Sequence, residues 1–117
     1  MQTVDGNTII RVGSEDPVIW NLLQDDGETP IDLTGQTSVE LRLEQLESPF
    51  TVKSFSTGGG KISVVSEANG QVKLSQVAAD FDIATSYKFY FKYILADTKV
   101  RFVPENINYK LTVIDDI

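Results

Sequence analysis

Between Tyr87 and Leu95 the chain alternates without a break: Tyr87, Phe89, Phe91, Tyr93 and Leu95 on one side, Lys88, Tyr90, Lys92 and Ile94 on the other. Successive side chains of a β-strand point to opposite faces, so this stretch predicts a strand with one dry face and one wet one. The same period governs Thr37 to Leu46, where Val39, Leu41 and Leu43 fall inward and Ser38, Glu40, Arg42 and Glu44 outward. Apolar spacing of three and four residues, the mark of an amphipathic helix, is nearly absent. A chain patterned this way has to bury its apolar faces sheet against sheet.

Further strands are expected at Thr8 to Val12, Pro17 to Gln24, Phe50 to Phe55, Lys61 to Ser66, Gln71 to Ser75, Lys99 to Val103 and Asn106 to Ile114. In the second of these Val18, Trp20 and Leu22 share a face, and Pro17 is tolerable at the strand start because it has no N–H to give a ladder. In the last, Ile107, Tyr109, Leu111 and Val113 share one. Turn signals separate the runs: Asp25-Asp26-Gly27, Ser48-Pro49, Gly58-Gly59-Gly60, Ala68-Asn69-Gly70 and Ala96-Asp97. Asn69-Gly70 is the strongest hairpin signal among them, and the glycine run is expected to be a flexible hairpin tip. Gln76 to Phe81 is one helical turn at most, too short to be stable alone. About eight short strands with a turn roughly every ten residues predict an all-β fold, a two-sheet antiparallel immunoglobulin-like β-sandwich. Residues 1–7 are expected to form a flexible arm and residues 8–117 the single domain.

At 117 residues and 13.0 kDa the chain is sized for one core. It has no Cys and no His, which removes disulfide frameworks, thiolate nucleophiles, Cys/His zinc sites, Ser-His-Asp triads and imidazole switches. No apolar run approaches the roughly 20 residues that span a bilayer, and no signal-type segment opens the chain. Ten basic against 17 acidic side chains give a net charge of −7, which repels phosphate backbones and anionic lipid, so neither nucleic acid nor membrane is an expected partner. The charge is unevenly spread. Residues 1–60 hold ten acidic and three basic side chains, a sum of −7, whereas residues 61–117 hold seven of each.

Few side chains invite a chemical reading. Asp25, Asp26, Glu28 and Asp32 are oxygen donors of the kind calcium takes, but their spacing does not fit the twelve-residue EF-hand loop; the segment reads as a solvated acidic turn, with no metal or other cofactor assigned. Asp32 is placed to accept from the backbone N–H two residues on, with Leu33 dropping into the core and Gly35 reversing the chain before Thr37. Trp20 would suit a sugar-stacking platform, yet its place between Val18 and Leu22 makes it a core aromatic. Tyr87 is positioned like the corner tyrosine of such sandwiches. The glycine run lacks the Lys-Ser/Thr of a phosphate loop. The outward residues Lys88, Tyr90, Lys92 and Ile94 combine charge with apolar area and form the candidate interface. A carboxylate pair for glycoside hydrolysis would need a cleft that small sandwiches seldom provide.

One segment carries a resemblance. Asp26-Gly27, Pro30-Ile31-Asp32-Leu33-Thr34-Gly35 and Val39-Glu40-Leu41-Arg42-Leu43 resemble the N-terminal immunoglobulin-like domain of phage baseplate upper proteins of the BppU type, with the Asp-Leu-Thr-Gly run as the most specific part. Asn69 to Leu74, Ala78-Ala79-Asp80, Tyr87-Lys88-Phe89 and Ile107 to Val113 resemble later parts of the same domain, so the likeness extends from about Val12 to Val113. Where that family has Gly before the Tyr strand, this chain has Thr85-Ser86. The resemblance implies a structural, non-catalytic tail or baseplate component assembled in the host cytoplasm into the virion. Its partners would be other tail or baseplate proteins, with homo-oligomers in the assembled particle. The alternative is a glycan-binding or adhesin module on the same fold.

Overall fold

In the computed structural model, residues 8–24, 26, 28–104 and 109–115 are described. Among the described residues nine strands follow one another: β1 (Thr8–Arg11), β2 (Val18–Asn21), β3 (Ser38–Gln45), β4 (Val52–Ser56), β5 (Ile62–Ser66), β6 (Gln71–Leu74), β7 (Ser86–Ile94), β8 (Val100–Val103) and β9 (Tyr109–Ile114). No helix occurs among the described residues. The strands form a six-stranded sheet, β1-β9-β7-β3-β4 with β8 also on β7, and a three-stranded sheet, β2-β6-β5.

The larger sheet is organised by β7. Its nine residues extend for roughly 30 Å at about 3.3 Å each, long enough for two short strands in tandem along one edge. There β9 pairs with Ser86 to Phe89 and β8 with Phe91 to Ile94. The opposite edge carries β3 antiparallel over its whole length, from Ser38↔Ile94 to Gln45↔Tyr87. In that register the inward sets of the two strands coincide, Val39, Leu41 and Leu43 beside Tyr93, Phe91 and Phe89, and all six are buried.

The smaller sheet closes over this face with Trp20, Ile62, Val72 and Leu74. Trp20 is 1% exposed and lies against Phe91 and Phe89, ring centroids 5.3 and 5.9 Å apart. Its indole N–H donates to the Thr8 hydroxyl at 2.9 Å, which satisfies the one polar atom the ring carries inside. Trp20 is therefore a core residue bridging the sheets, not a sugar platform. At the other end Phe81 fills the space between Phe55 and Tyr87, edge-on to both at 6.0 Å.

Several expectations change. The first strand pairs parallel with the last, Thr8↔Leu111 to Arg11↔Ile114, so one ladder of the sandwich is not antiparallel. Gly58 to Gly60 is not a hairpin tip: β4 belongs to the larger sheet and β5 to the smaller, so the run carries the chain between layers. Gln76 to Phe81 makes a hydrogen-bonded turn, Asp80 N–H to Val77 O at 3.0 Å, without becoming helical. β2 stops at Asn21, after which Leu23 makes an isolated bridge to Pro30. Phe50 lies outside β4 with φ 56°. The β5–β6 hairpin at Asn69-Gly70 and the β7–β8 hairpin at Ala96-Asp97 are as expected. The arm at residues 1–7, Asp25, Gly27 and the Asn106 to Asn108 start of the last strand lie outside the described residues.

Candidate functional site

The segment that carries the resemblance is a fastening between the layers. Asp32 accepts from the Thr34 N–H at 2.9 Å, the two-residue turn that its side chain predisposes. Leu33 is fully buried, and Gly35 adopts φ 80°, the conformation that lets the chain reverse. The segment is pinned to the β5–β6 hairpin: Leu33 N–H donates to Glu67 O at 2.7 Å and Gly35 N–H to the Glu67 carboxylate at 3.2 Å. Gly70 completes the joint. Its carbonyl accepts from Leu22 at 2.9 Å, and a Cβ there would lie 2.6 Å from Ile31 O and 2.8 Å from Leu22 O. The glycine is thus required by close backbone approach as well as by its φ of 60°.

The acidic loop is occupied by its own hydrogen bonds. Asp26 accepts from the N–H groups of Glu28 at 2.9 Å and Thr29 at 2.7 Å, and from the Thr29 hydroxyl. The Thr29 hydroxyl and these amides hold its pKa at about 2. Thr34 likewise holds Asp32 below its ordinary value. Among the described residues no group of three or more potential ligands converges on one point.

Tyr87 enters the core beside Phe81, and burial, then the charge of Asp82, pushes its hydroxyl pKa up. The corner role calls for a hydroxyl hydrogen bond to upstream backbone. Among the described residues Tyr87 makes none, and its contribution is packing.

The candidate interface lies on the outer face of the larger sheet, with a charge pattern that its own strand does not reveal. Lys88 sits opposite Glu44, ion-paired at 3.0 Å, and Lys92 opposite Glu40. Glu40 pays a desolvation penalty. Hydrogen bonds from Ser54 at 2.6 Å and Arg42 at 2.8 Å, with the charges of Arg42 and Lys92, outweigh it and keep the carboxyl below its ordinary pKa. The pKa of Arg42 is raised by Glu40 first and Tyr90 second. Lys88 is thus paired across the strands and Lys92 faces a carboxylate that Arg42 already holds; with Lys110 opposite Lys88, the outward face of β3, β7 and β9 sets Arg42, Lys88, Lys92 and Lys110 against Glu40 and Glu44 and keeps an excess of positive charge.

Beside that charge the face offers apolar area that reading β7 alone misses. Register sets Lys92 opposite Phe102 and Ile94 opposite Val100, and the Tyr90 and Phe102 rings meet edge to face at 5.8 Å. Phe102 is 41% exposed and Val100 49%. Tyr90, Ile94, Val100 and Phe102 surround Lys92 in one patch bordered by the Glu40, Arg42 and Glu44 row. The alternation in Lys99 to Val103 held the signal, but only pairing with β7 brings the two strands' outward residues together.

No family model and no curated protein sequence matches the chain. Solved structures resemble it in fold. CopC from Methylosinus trichosporium OB3b superposes with a TM-score of 0.54 at 8% identity, over 100% of this chain and 97% of that one. A chain from the work on T cell specificity and activation by the bacterial superantigen toxic shock syndrome toxin-1 gives 0.50 at 10% identity, over 97% and 98%. Murine CRIg gives 0.41 at 9% identity, over 100% and 99%. The fold is an immunoglobulin-like β-sandwich. Likeness at such identities speaks for architecture and leaves function to the site.

Proposed function

We propose that this chain is a non-catalytic structural component of a phage tail or baseplate, and that the outer face of β3, β7 and β8 packs against a neighbouring virion protein. The observation that carries this reading is the patch of Tyr90, Ile94, Val100 and Phe102 around Lys92, rimmed by Glu40, Arg42, Glu44 and Lys88. Aromatic and aliphatic area interleaved with charge is the kind of surface on which a protein partner packs. Lys88 and Lys92 face Glu44 and Glu40, and with Arg42 and Lys110 on the same face the contact draws on burial together with attraction for an acidic partner surface. The Asp32 to Gly35 resemblance supplies the virion setting, and its hydrogen bonds to the β5–β6 hairpin give the motif a structural reason to exist.

The alternative, a glycan-binding module, draws on the same exposed aromatics. Tyr90 and Phe102 meet at 68° between ring planes, so they do not make the flat platform on which a sugar ring stacks.

The experiment is copurification of the tagged chain with tail particles, comparing the native sequence with Tyr90→Ser/Phe102→Ser. These substitutions avoid the like-charge contacts that reversing Lys88 or Lys92 would create beside Glu44 and Glu40 on the same face. The expected result is incorporation of the native chain and loss of the variant, with melting temperatures within about 3 °C of each other, as for surface changes. Absence of the native chain from particles, or unchanged incorporation of the variant, refutes the reading. Saturable binding to a glycan array through these two rings replaces it with the alternative.

A further inference from the structure

On one side of the sandwich two strand edges face a cleft. Among the described residues β1 pairs only with β9 and β2 only with β6, so each is an edge strand of its sheet. Between them lies a cleft of about 430 Å3, within the range of ligand sites, whose lining includes Ile9, Ile10, Val18, Ile19, Asp16 and Gln76. The ladders fix which main-chain groups face it. Val12 N–H donates to Ile114 O at 2.8 Å, so positions 8, 10 and 12 are aimed at β9 and the N–H and C=O of Ile9 face the open edge. Leu22 N–H donates to Gly70 O at 2.9 Å, so Trp20 and Val18 are aimed at β6 and the main-chain groups of Ile19 face the open edge.

A second observation is independent of the edges. Gln76 is 5% exposed, the one buried polar side chain among the described residues, and it lines this cleft. Its Nε2 donates to Asp16 O at 2.6 Å and to the Ser14 hydroxyl at 3.4 Å, which orients the amide. Its Oε1 is buried with no partner among the described residues. An acceptor removed from water and left unpaired is a cost that a bound donor would relieve. A cationic donor entering the cleft would also meet Asp16, the acidic side chain of its lining. Arg11, also at the cleft, already has an interaction of its own.

We propose that this cleft binds an extended peptide strand of a partner protein, which adds to the open edges at Ile9 and Ile19 and donates from a lysine or arginine to Gln76 Oε1. Main-chain pairing supplies the affinity and the basic side chain the selectivity, the usual division in strand addition. β1 and β2 have four residues each, which sets the paired length. The proposal rests on residues apart from the β7–β8 face and does not require a virion role.

The test is selection of a displayed random heptapeptide library on the purified chain, followed by titration of a synthetic copy of the enriched peptide. Two variants accompany it, Gln76→Met and Ile9→Lys/Ile19→Lys. The expected outcome is enrichment of alternating apolar sequences containing Lys or Arg, amide shifts at Ile9 and Ile19, and at least tenfold weaker binding by each variant. Ile9 and Ile19 are 70% and 48% exposed, so the lysine pair reports on binding even if Gln76→Met fails to fold. Failure to enrich any sequence, enrichment without a basic residue, unchanged binding by a folded variant, or glycan binding that shifts the same amides each overturns the proposal.

Discussion

Replacing Trp20 by Ala tests the central joint of the fold. The side chain is 1% exposed and is the only tryptophan in the chain. Burial of an aromatic of this size removes about 200 Å2 from water. At about 25 cal/mol per Å2 that is roughly 5 kcal/mol as an upper figure. Truncations of buried aromatics cost about 3–5 kcal/mol in practice. Loss of the indole hydrogen bond adds little, because the Thr8 hydroxyl that accepts it can rehydrate. Against a typical stability of about 5–15 kcal/mol the variant is left marginal. With a urea m-value of about 2 kcal/mol per M, a loss of about 4 kcal/mol moves the midpoint by about 2 M. The assay is urea unfolding followed by far-UV circular dichroism, since the variant lacks the fluorophore, with acrylamide quenching of Trp20 in the native protein as its companion. A midpoint shift under about 0.5 M, or native quenching as efficient as that of free tryptophan, refutes the placement of Trp20 between the sheets.

Gly70→Ala should cost at least about 2 kcal/mol, because it adds backbone clashes with Ile31 and Leu22 to a positive φ, while Gly13→Ala, where φ is also positive but a Cβ meets nothing within 4 Å, should cost about 1 kcal/mol; thermal unfolding of both separates the two effects. Asp26 and Asp97, the latter held first by Arg101 hydrogen bonds and then by the Lys99 N–H, have folded pKa values near 2 against an ordinary 3.8. Their stabilisation is present above pH 4 and lost as pH falls from about 4 through 2, which carboxyl-carbon NMR titrations and melting curves across that window check. Because the Asp26 carboxylate is satisfied by Thr29 and Glu28, the melting temperature should move by less than about 2 °C between EDTA and millimolar calcium; a rise of several degrees would establish a metal site in the loop.

Alternation along the chain was enough to assign the inward residues of β3 and β7, to place Trp20 in the core and to anticipate a two-sheet sandwich. Those are local properties: the strand's period of two decides which side chains share a face, wherever the strand ends up. The Asp32 turn was legible for the same reason, since an Asx turn closes over two residues. Pairing is not local. That β8 and β9 share one edge of β7, that β1 runs parallel to β9, and that Gly58 to Gly60 carries the chain from one sheet to the other follow from which ladders bury the most apolar surface over long separations. The candidate surfaces inherit that division. Lys88, Tyr90, Lys92 and Ile94 were readable as outward, yet only the register with β3 set Glu44 and Glu40 opposite the lysines, and only the register with β8 added Val100 and Phe102 to the patch. The cleft at Gln76 gives no periodic signal at all, because it exists where the edges of two different sheets, β1 and β2, are brought side by side by packing, with no further strand on either edge among the described residues.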